Sequence, residues 1–158
     1  MTTQEDLRHA CIEGVLPEDK RIQWLLYSHL SKLERLNYLY PGLNVRVSVP
    51  PGFEYGSGYR SPNYEERRGR SRRGVHCYGQ ESVFADVELD RHLGAVDVIA
   101  DDYLMLRTVL IKENVWTRCC WYPNSRFVHL DMASHSHPWF IDRGTGWMRV
   151  TEKEFIVG

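Results

Sequence analysis

The sequence predicts an α+β domain, and three features carry that prediction. One long stretch repeats its apolar residues every three or four positions, as a helix with one buried stripe does. Several shorter stretches alternate apolar and polar residues, as half-buried strands do. At 158 residues the chain has enough material for one hydrophobic core, so residues 1–158 are read as a single domain.

The helical stretch comes first. Between Leu16 and Leu39, the residues Ile22, Leu25, Leu26, Leu30, Leu33, Leu36 and Leu39 recur at helical spacing, and Tyr40-Pro41-Gly42 ends the run. Leu43, Val45 and Val47 then alternate with Asn44, Arg46 and Ser48, which predicts a strand stopped by Pro50-Pro51-Gly52. From Gly52 to Gly79 glycine, proline, serine and arginine dominate without apolar periodicity, so a long functional loop is expected. Ser82 to Leu89 alternates again and predicts a strand, with Asp86 on the face opposite Val83 and Val87. Residues 98–114 read as a second helix, with Asp101 or Asp102 in its first turn and Lys112 in its last, where those charges suit the helix dipole. A strand is expected over Arg118 to Met132, interrupted by Pro123. The tail holds Trp139, Phe140, Trp147 and Val150 and is expected to pack back as a last strand or hairpin.

Composition narrows the function classes. An apolar share of 42% and a charged share of 26% suit an ordinary globular protein. No run reaches the roughly 18 apolar residues of a membrane span, and the start MTTQEDLRHACIEG lacks the order of a signal peptide, so the expectation is a chain that is cytoplasmic at synthesis. Cys11, Cys77, Cys119 and Cys120 lack CxxC spacing and read as free thiols, with Cys77 a soft donor beside His76. The net charge of −1 hides a cluster of Arg67, Arg68, Arg70, Arg72 and Arg73. With Tyr59, Tyr64 and Tyr78 nearby, that cluster suggests nucleic-acid binding as a rival function. The near-neutral total and the lack of a nucleic-acid module favour instead a solvated loop that meets anionic cell-wall polymer.

Two histidines and an aspartate on separate elements are the usual protein share of a catalytic zinc site, which keeps one position for water. His76, Asp86 and His129 are such a set, with Asp131 two residues beyond His129 and so on the same strand face.

Several motifs fall in a telling order: Gly58-Tyr59-Arg60-Ser61-Pro62, then Val75-His76-Cys77-Tyr78-Gly79, then Phe84-Ala85-Asp86-Val87, and last Tyr122-Pro123-Asn124-Ser125-Arg126-Phe127-Val128-His129-Leu130-Asp131. This order resembles the zinc D-alanyl-D-alanine carboxypeptidase and murein endopeptidase family, in particular its small branch reading GYRSP, HxxGxAxD and YYPxSxFVHVD. The resemblance covers roughly residues 43 to 147. It implies zinc held by His76, Asp86 and His129, on the open side of a short, mostly antiparallel sheet backed by helices. It also implies an oxyanion-stabilising Arg60, a Ser61 that holds that arginine or the substrate backbone, and an Asp131 that fixes an imidazole tautomer. The substrate implied is a peptidoglycan peptide, cut as a carboxypeptidase or an endopeptidase would cut it. With no signal peptide, a phage-type lytic enzyme acting at the cell wall is the expected setting.

Two positions depart from the family pattern. Nine residues separate His76 from Asp86, more than HxxGxAxD allows, and Glu81 is the alternative carboxylate. Position 126 is arginine, where many relatives carry the acidic general base three residues before the last histidine. Asp131, His135, His137 and Asp142 remain candidates for that base. The departures keep a second function open: a catalytically silent relative that binds peptidoglycan or plays a structural part.

Overall fold

In a computed structural model, the structure describes residues 1–79, 93–133 and 137–158. The expected strand over Ser82 to Leu89, with Glu81 and Asp86, lies outside the described residues, as does His135.

The first long helix begins later than Leu16. After a short α1 (Gln4–His9), α2 runs Lys20–Leu39, because Asp19 caps it by accepting the Arg21 N–H at 2.8 Å. Its stripe of Ile22, Leu26, Leu33 and Leu36 is buried as the spacing requires. β1 is only Arg46–Val47, since Val45 spends its N–H and C=O on the Asn37 side chain at the end of α2. The glycine-rich loop contains one short helix, α3 (Pro62–Arg67), started by Ser61 as cap and Pro62 in the first turn.

The expected helix over 98–114 is two elements. Ala95–Ile99 is strand β2, and α4 runs Tyr103–Glu113. Asp102 sets the start by accepting the Met105 N–H at 3.0 Å, and Asn114 ends the helix in the left-handed conformation. Val98, Ile99 and Ala100 are apolar positions that fit a helix as well as a strand, so periodicity alone does not place the boundary, although Asp101-Asp102 marks it.

The expected strand over Arg118 to Met132 is a hairpin of β3 (Arg118–Tyr122) and β4 (Phe127–Asp131). Pro123 sits in its turn, and the chain reverses where the Arg126 N–H donates to Tyr122 O at 2.7 Å, with Arg126 at φ 57°. The tail does pack back: β5 (Trp139–Asp142) and β6 (Trp147–Arg149) form a hairpin, and α5 (Glu152–Val157) follows.

The six strands form one sheet in the order β1-β2-β4-β3-β5-β6. Every pairing is antiparallel except β3 with β5. Alternation along each strand then sorts the side chains onto two faces. Val96, Val98, Cys119, Trp121, Val128, Leu130, Trp139 and Ile141 join Leu106, Val109 and Leu110 of α4, Leu33 and Leu36 of α2 and Phe155 of α5 in the main core. Asp97, Arg118, Cys120, Tyr122, His129, Asp131 and Phe140 therefore occupy the opposite face. No described helix is long and apolar enough to cross a membrane.

Candidate metal centre

His76, Asp97 and His129 are buried, and one donor atom from each lies within 4.8 Å of the others, so together they could hold a metal ion. Asp97 and His129 are Cα partners on neighbouring strands β2 and β4. His76 arrives from the loop above them.

The loop is fixed by close backbone contact. Gly58 lies against Ala10, and a Cβ there would stand 2.4 Å from Ala10 O, so only glycine fits. The adjoining Tyr59 N–H donates to Ala10 O at 2.9 Å and Tyr59 O accepts from the Ile12 N–H at 3.0 Å. His76 is then held at two points: its carbonyl accepts the Arg60 N–H at 2.9 Å, and its Nδ1 lies 2.7 Å from Gly58 O. Because a carbonyl can only accept, Nδ1 carries the proton and Nε2 is left as the lone-pair nitrogen. That Nε2 stands 3.5 Å from Asp97 Oδ1.

His129 is arranged in the complementary sense. Its Nε2 is 2.7 Å from Asp131 Oδ2 and its Nδ1 is 2.9 Å from Asp97 Oδ1. With Nε2–H donated to Asp131, Nδ1 faces the shared point beside Asp97 and His76. Asp131 is itself locked, receiving Arg118 Nη2 at 2.7 Å, Arg118 Nε at 3.0 Å and the Ala133 N–H at 3.0 Å. The Arg118 guanidinium in turn lies 4.6 Å from the centre of the Trp147 ring, whose edge closes over His129 at 5.3 Å between centroids.

Asp97 uses its second oxygen differently. Oδ2 accepts the Ser57 hydroxyl at 2.6 Å and Arg60 Nη2 at 3.2 Å, while Arg60 Nη2 also reaches Ser57 Oγ at 2.6 Å. Arg60 Nη1 donates to Glu65 at 3.2 Å. Oδ1 thus faces the two imidazoles and Oδ2 is tied back.

The charges follow from these contacts. Burial opposes ionisation of Asp97, but His76 and His129 beside it outweigh burial and hold its carboxyl well below the usual range. Burial together with the Arg60 cation lowers the pKa of His76, so its imidazole is neutral and ready to donate a lone pair. Burial also works against a charged His129, yet hydrogen bonds to Asp131 and Asp97 push it up to about 9, so at neutral pH the metal-free ring carries a proton on each nitrogen and a metal at Nδ1 would displace one. Burial raises Asp131 less than His129 and Arg118 lower it, so its carboxylate stays ionised. A buried anion engaged by three donors is suited to orient an imidazole, not to pass protons.

Asp97 and Arg60 also line a cleft of about 550 Å³, together with Ser48, Pro50, Ser57 and Phe127, among others. Of the residues singled out in the sequence, His76, His129, Arg60 and Asp131 are gathered here. Ser61 is turned elsewhere: its hydroxyl accepts the Tyr64 N–H at 3.1 Å and donates to Glu13 at 2.6 Å. Asp142 accepts the Gly144 and Gly146 N–H groups at 2.8 and 3.2 Å, and His137 Nε2 lies 2.8 Å from Val150 O. All four cysteines are free and buried, and Cys77 is held as a neutral thiol because burial raises its pKa to about 11. Arg67, Arg70 and Arg72 are each paired with a glutamate, which removes much of the positive field that nucleic-acid binding would need.

Asp97 is the residue that sequence reasoning missed. The signal was present, for Asp97 is the one charged residue in the apolar run Ala95-Val96-Asp97-Val98-Ile99-Ala100. A carboxylate in a strand buried on both faces needs cationic, metal or hydrogen-bonding partners. Compared with known proteins, the chain matches no family model, no curated protein and no solved structure.

Proposed function

We propose that this chain is a zinc-dependent peptidase that hydrolyses an amide bond in peptidoglycan stem or cross-link peptides. One observation carries the reading: Nε2 of one imidazole, Nδ1 of another and one carboxylate oxygen converge beside a cleft that also holds an arginine. The donor set fits zinc, with His76 Nε2, Asp97 Oδ1 and His129 Nδ1 as its ligands. Zinc held there would supply a Lewis acid for the substrate carbonyl and a source of hydroxide at neutral pH.

The chain's own groups do the rest. Asp131 and Gly58 O keep the two imidazoles in the tautomers that binding requires. Arg60 and Ser57 hold Asp97 Oδ2 and so aim Oδ1. The Arg60 guanidinium, at the wall of the cleft, supplies positive charge where an oxyanion develops on the substrate. Trp147 and Phe140 keep bulk water from the far side of His129.

A second reading, a metal-binding relative without hydrolytic activity, is favoured by a different observation. The described carboxylates around the centre, Asp97, Asp131 and Glu65, are each engaged by two or more donors, which ill suits any of them to accept a proton from water. Metal analysis of the purified protein, then incubation with purified peptidoglycan and mass spectrometry of released peptides, separates the two. Stoichiometric zinc with new amine termini, both lost in His129→Ala while the fold persists, supports the peptidase. Zinc without any new amine terminus leaves the silent relative.

A further inference from the structure

Beside the cleft lies a smaller pocket of about 200 Å³, and Arg60, Arg68 and Arg70 are in its wall with Phe53 and Tyr64. Pro50 and Arg60 line both cavities, so the two share a wall. No acidic residue lines the smaller one among the described residues. Two described carboxylates contact these arginines: buried Glu65, which divides its two oxygens between Arg60 and Arg70, and Asp97, which takes Arg60 Nη2 at 3.2 Å.

Arg68 differs from its neighbours in the arginine cluster. Arg67, Arg70 and Arg72 each have a glutamate, whereas Arg68 has no ion-pair partner among the described residues. Its guanidinium instead stands 5.1 Å from the ring centre of Phe53 and 5.1 Å from that of Tyr64. Aromatic contacts of this kind hold the planar group in place while leaving its N–H donors unspent. Arg60 Nε is likewise buried without a partner. Three guanidinium groups against two carboxylates, with Arg68 in none of these ion pairs, leave positive charge for a small anion beside the cleft.

We propose that Arg68, with Arg70 and Arg60, receives a free carboxylate of the peptide substrate and so fixes which way the peptide lies in the cleft. This proposal rests on the peptidase reading for the identity of the ligand. The pocket's size suits a carboxylate on a short stem, and its shared wall with the cleft places that carboxylate on the same molecule that reaches the metal centre.

The test is binding of two peptides to the full, zinc-supplied chain by isothermal titration: a stem tripeptide with free carboxylates and the same tripeptide with its carboxylates amidated. The wild type should bind the acidic peptide about ten-fold more tightly, the usual worth of one charged hydrogen-bonded contact. Arg68→Gln should bind both peptides alike, and Arg68→Lys should recover part of the difference. Arg68 is exposed, so thermal melting of the variants should match the wild type. An unchanged preference in Arg68→Gln, an equal loss for both peptides, or no binding of the acidic peptide by the wild type overturns the proposal. Release of amine termini by the wild type is scored separately. Arg68-dependent binding without cleavage retains the subsite and removes the peptidase, and cleavage without Arg68 dependence does the reverse.

Discussion

His129 Nε2 lies 2.7 Å from Asp131 Oδ2, and this contact holds the ring with Nδ1 turned toward Asp97, 2.9 Å from its Oδ1. Asp131→Asn keeps the shape of the side chain but lets an amide nitrogen face the ring, which removes the preference for that tautomer. Zinc affinity, measured by competition with a chromogenic chelator, should fall about 10- to 100-fold, the usual cost of losing a partner behind a metal-binding histidine. An unchanged affinity would show that Asp131 serves only its pair with Arg118.

The Arg118 pair makes a separate prediction. Asp131 is fully buried and Arg118 nearly so, so Asp131→Ala strands a guanidinium in the interior. Breaking a buried pair from one side costs about 3–5 kcal/mol. Chemical denaturation of the metal-free protein should show a loss of that size for Asp131→Ala and a smaller one for Asp131→Asn.

Arg126 stands where the family resemblance would call for an acidic base, and its side chain lies on the other side of the sheet. It lies three residues before His129, and its guanidinium stands 5.0 Å from the ring centre of Tyr103 at the start of α4. Arg126→Glu should therefore leave zinc affinity and any peptidase rate within about two-fold of the wild type. A large gain in rate would mean that the β3–β4 turn can swing round to the cleft.

His29 gives the fold a pH dependence that is independent of the metal centre. It is buried in α2, with Nε2 2.9 Å from Leu93 O and Nδ1 accepting Trp116 Nε1–H at 3.1 Å. Burial is the main cause that lowers its pKa to about 4, against an ordinary value of 6.5. Between these values the unfolded chain binds a proton that the native chain refuses. The stabilising contribution of neutral His29 is present above about pH 6.5 and is lost as the pH falls toward about 4. Melting temperatures of wild type and His29→Gln should converge across that interval; parallel curves would contradict it.

Trp116 shares that bond and offers a check on its cost. Trp116→Phe keeps an aromatic ring in the core but leaves His29 Nδ1 buried without a donor. A loss of about 1–3 kcal/mol is expected by urea denaturation, and the His29 pH dependence should shrink with it.

What the sequence made legible depended on whether a residue's neighbours in the chain were also its neighbours in space. α2 was readable because its buried stripe is a local pattern. His76, Arg60, His129 and Asp131 were readable because they sit in short motifs. Asp97 was not, since its partners come from Ser57, Arg60, His76 and β4, all distant along the chain. The start of α4 was misplaced for a related reason: Val98 and Ile99 satisfy helix and strand patterns equally well, and pairing with β1 and β4, both distant along the chain, decides between them. Ser61 reads, from the family resemblance alone, as holding Arg60 or the substrate backbone. Its hydroxyl instead caps α3 and meets Glu13, at the far end of a contact no local pattern encodes.

The alternation along β4 has an evolutionary consequence. Val128 and Leu130 belong to the core, while His129 and Asp131 between and beyond them belong to the metal centre. Selection can act on these two sets separately, because adjacent codons answer to different requirements. On the metal-binding reading proposed above, a lineage that gave up the metal could replace His129 and keep the strand's architecture, and Asp131 too if Arg118 found another partner. A systematic substitution series along residues 128–130 should accordingly lose abundance at Val128 and Leu130 and, on the proposed reading, metal at His129.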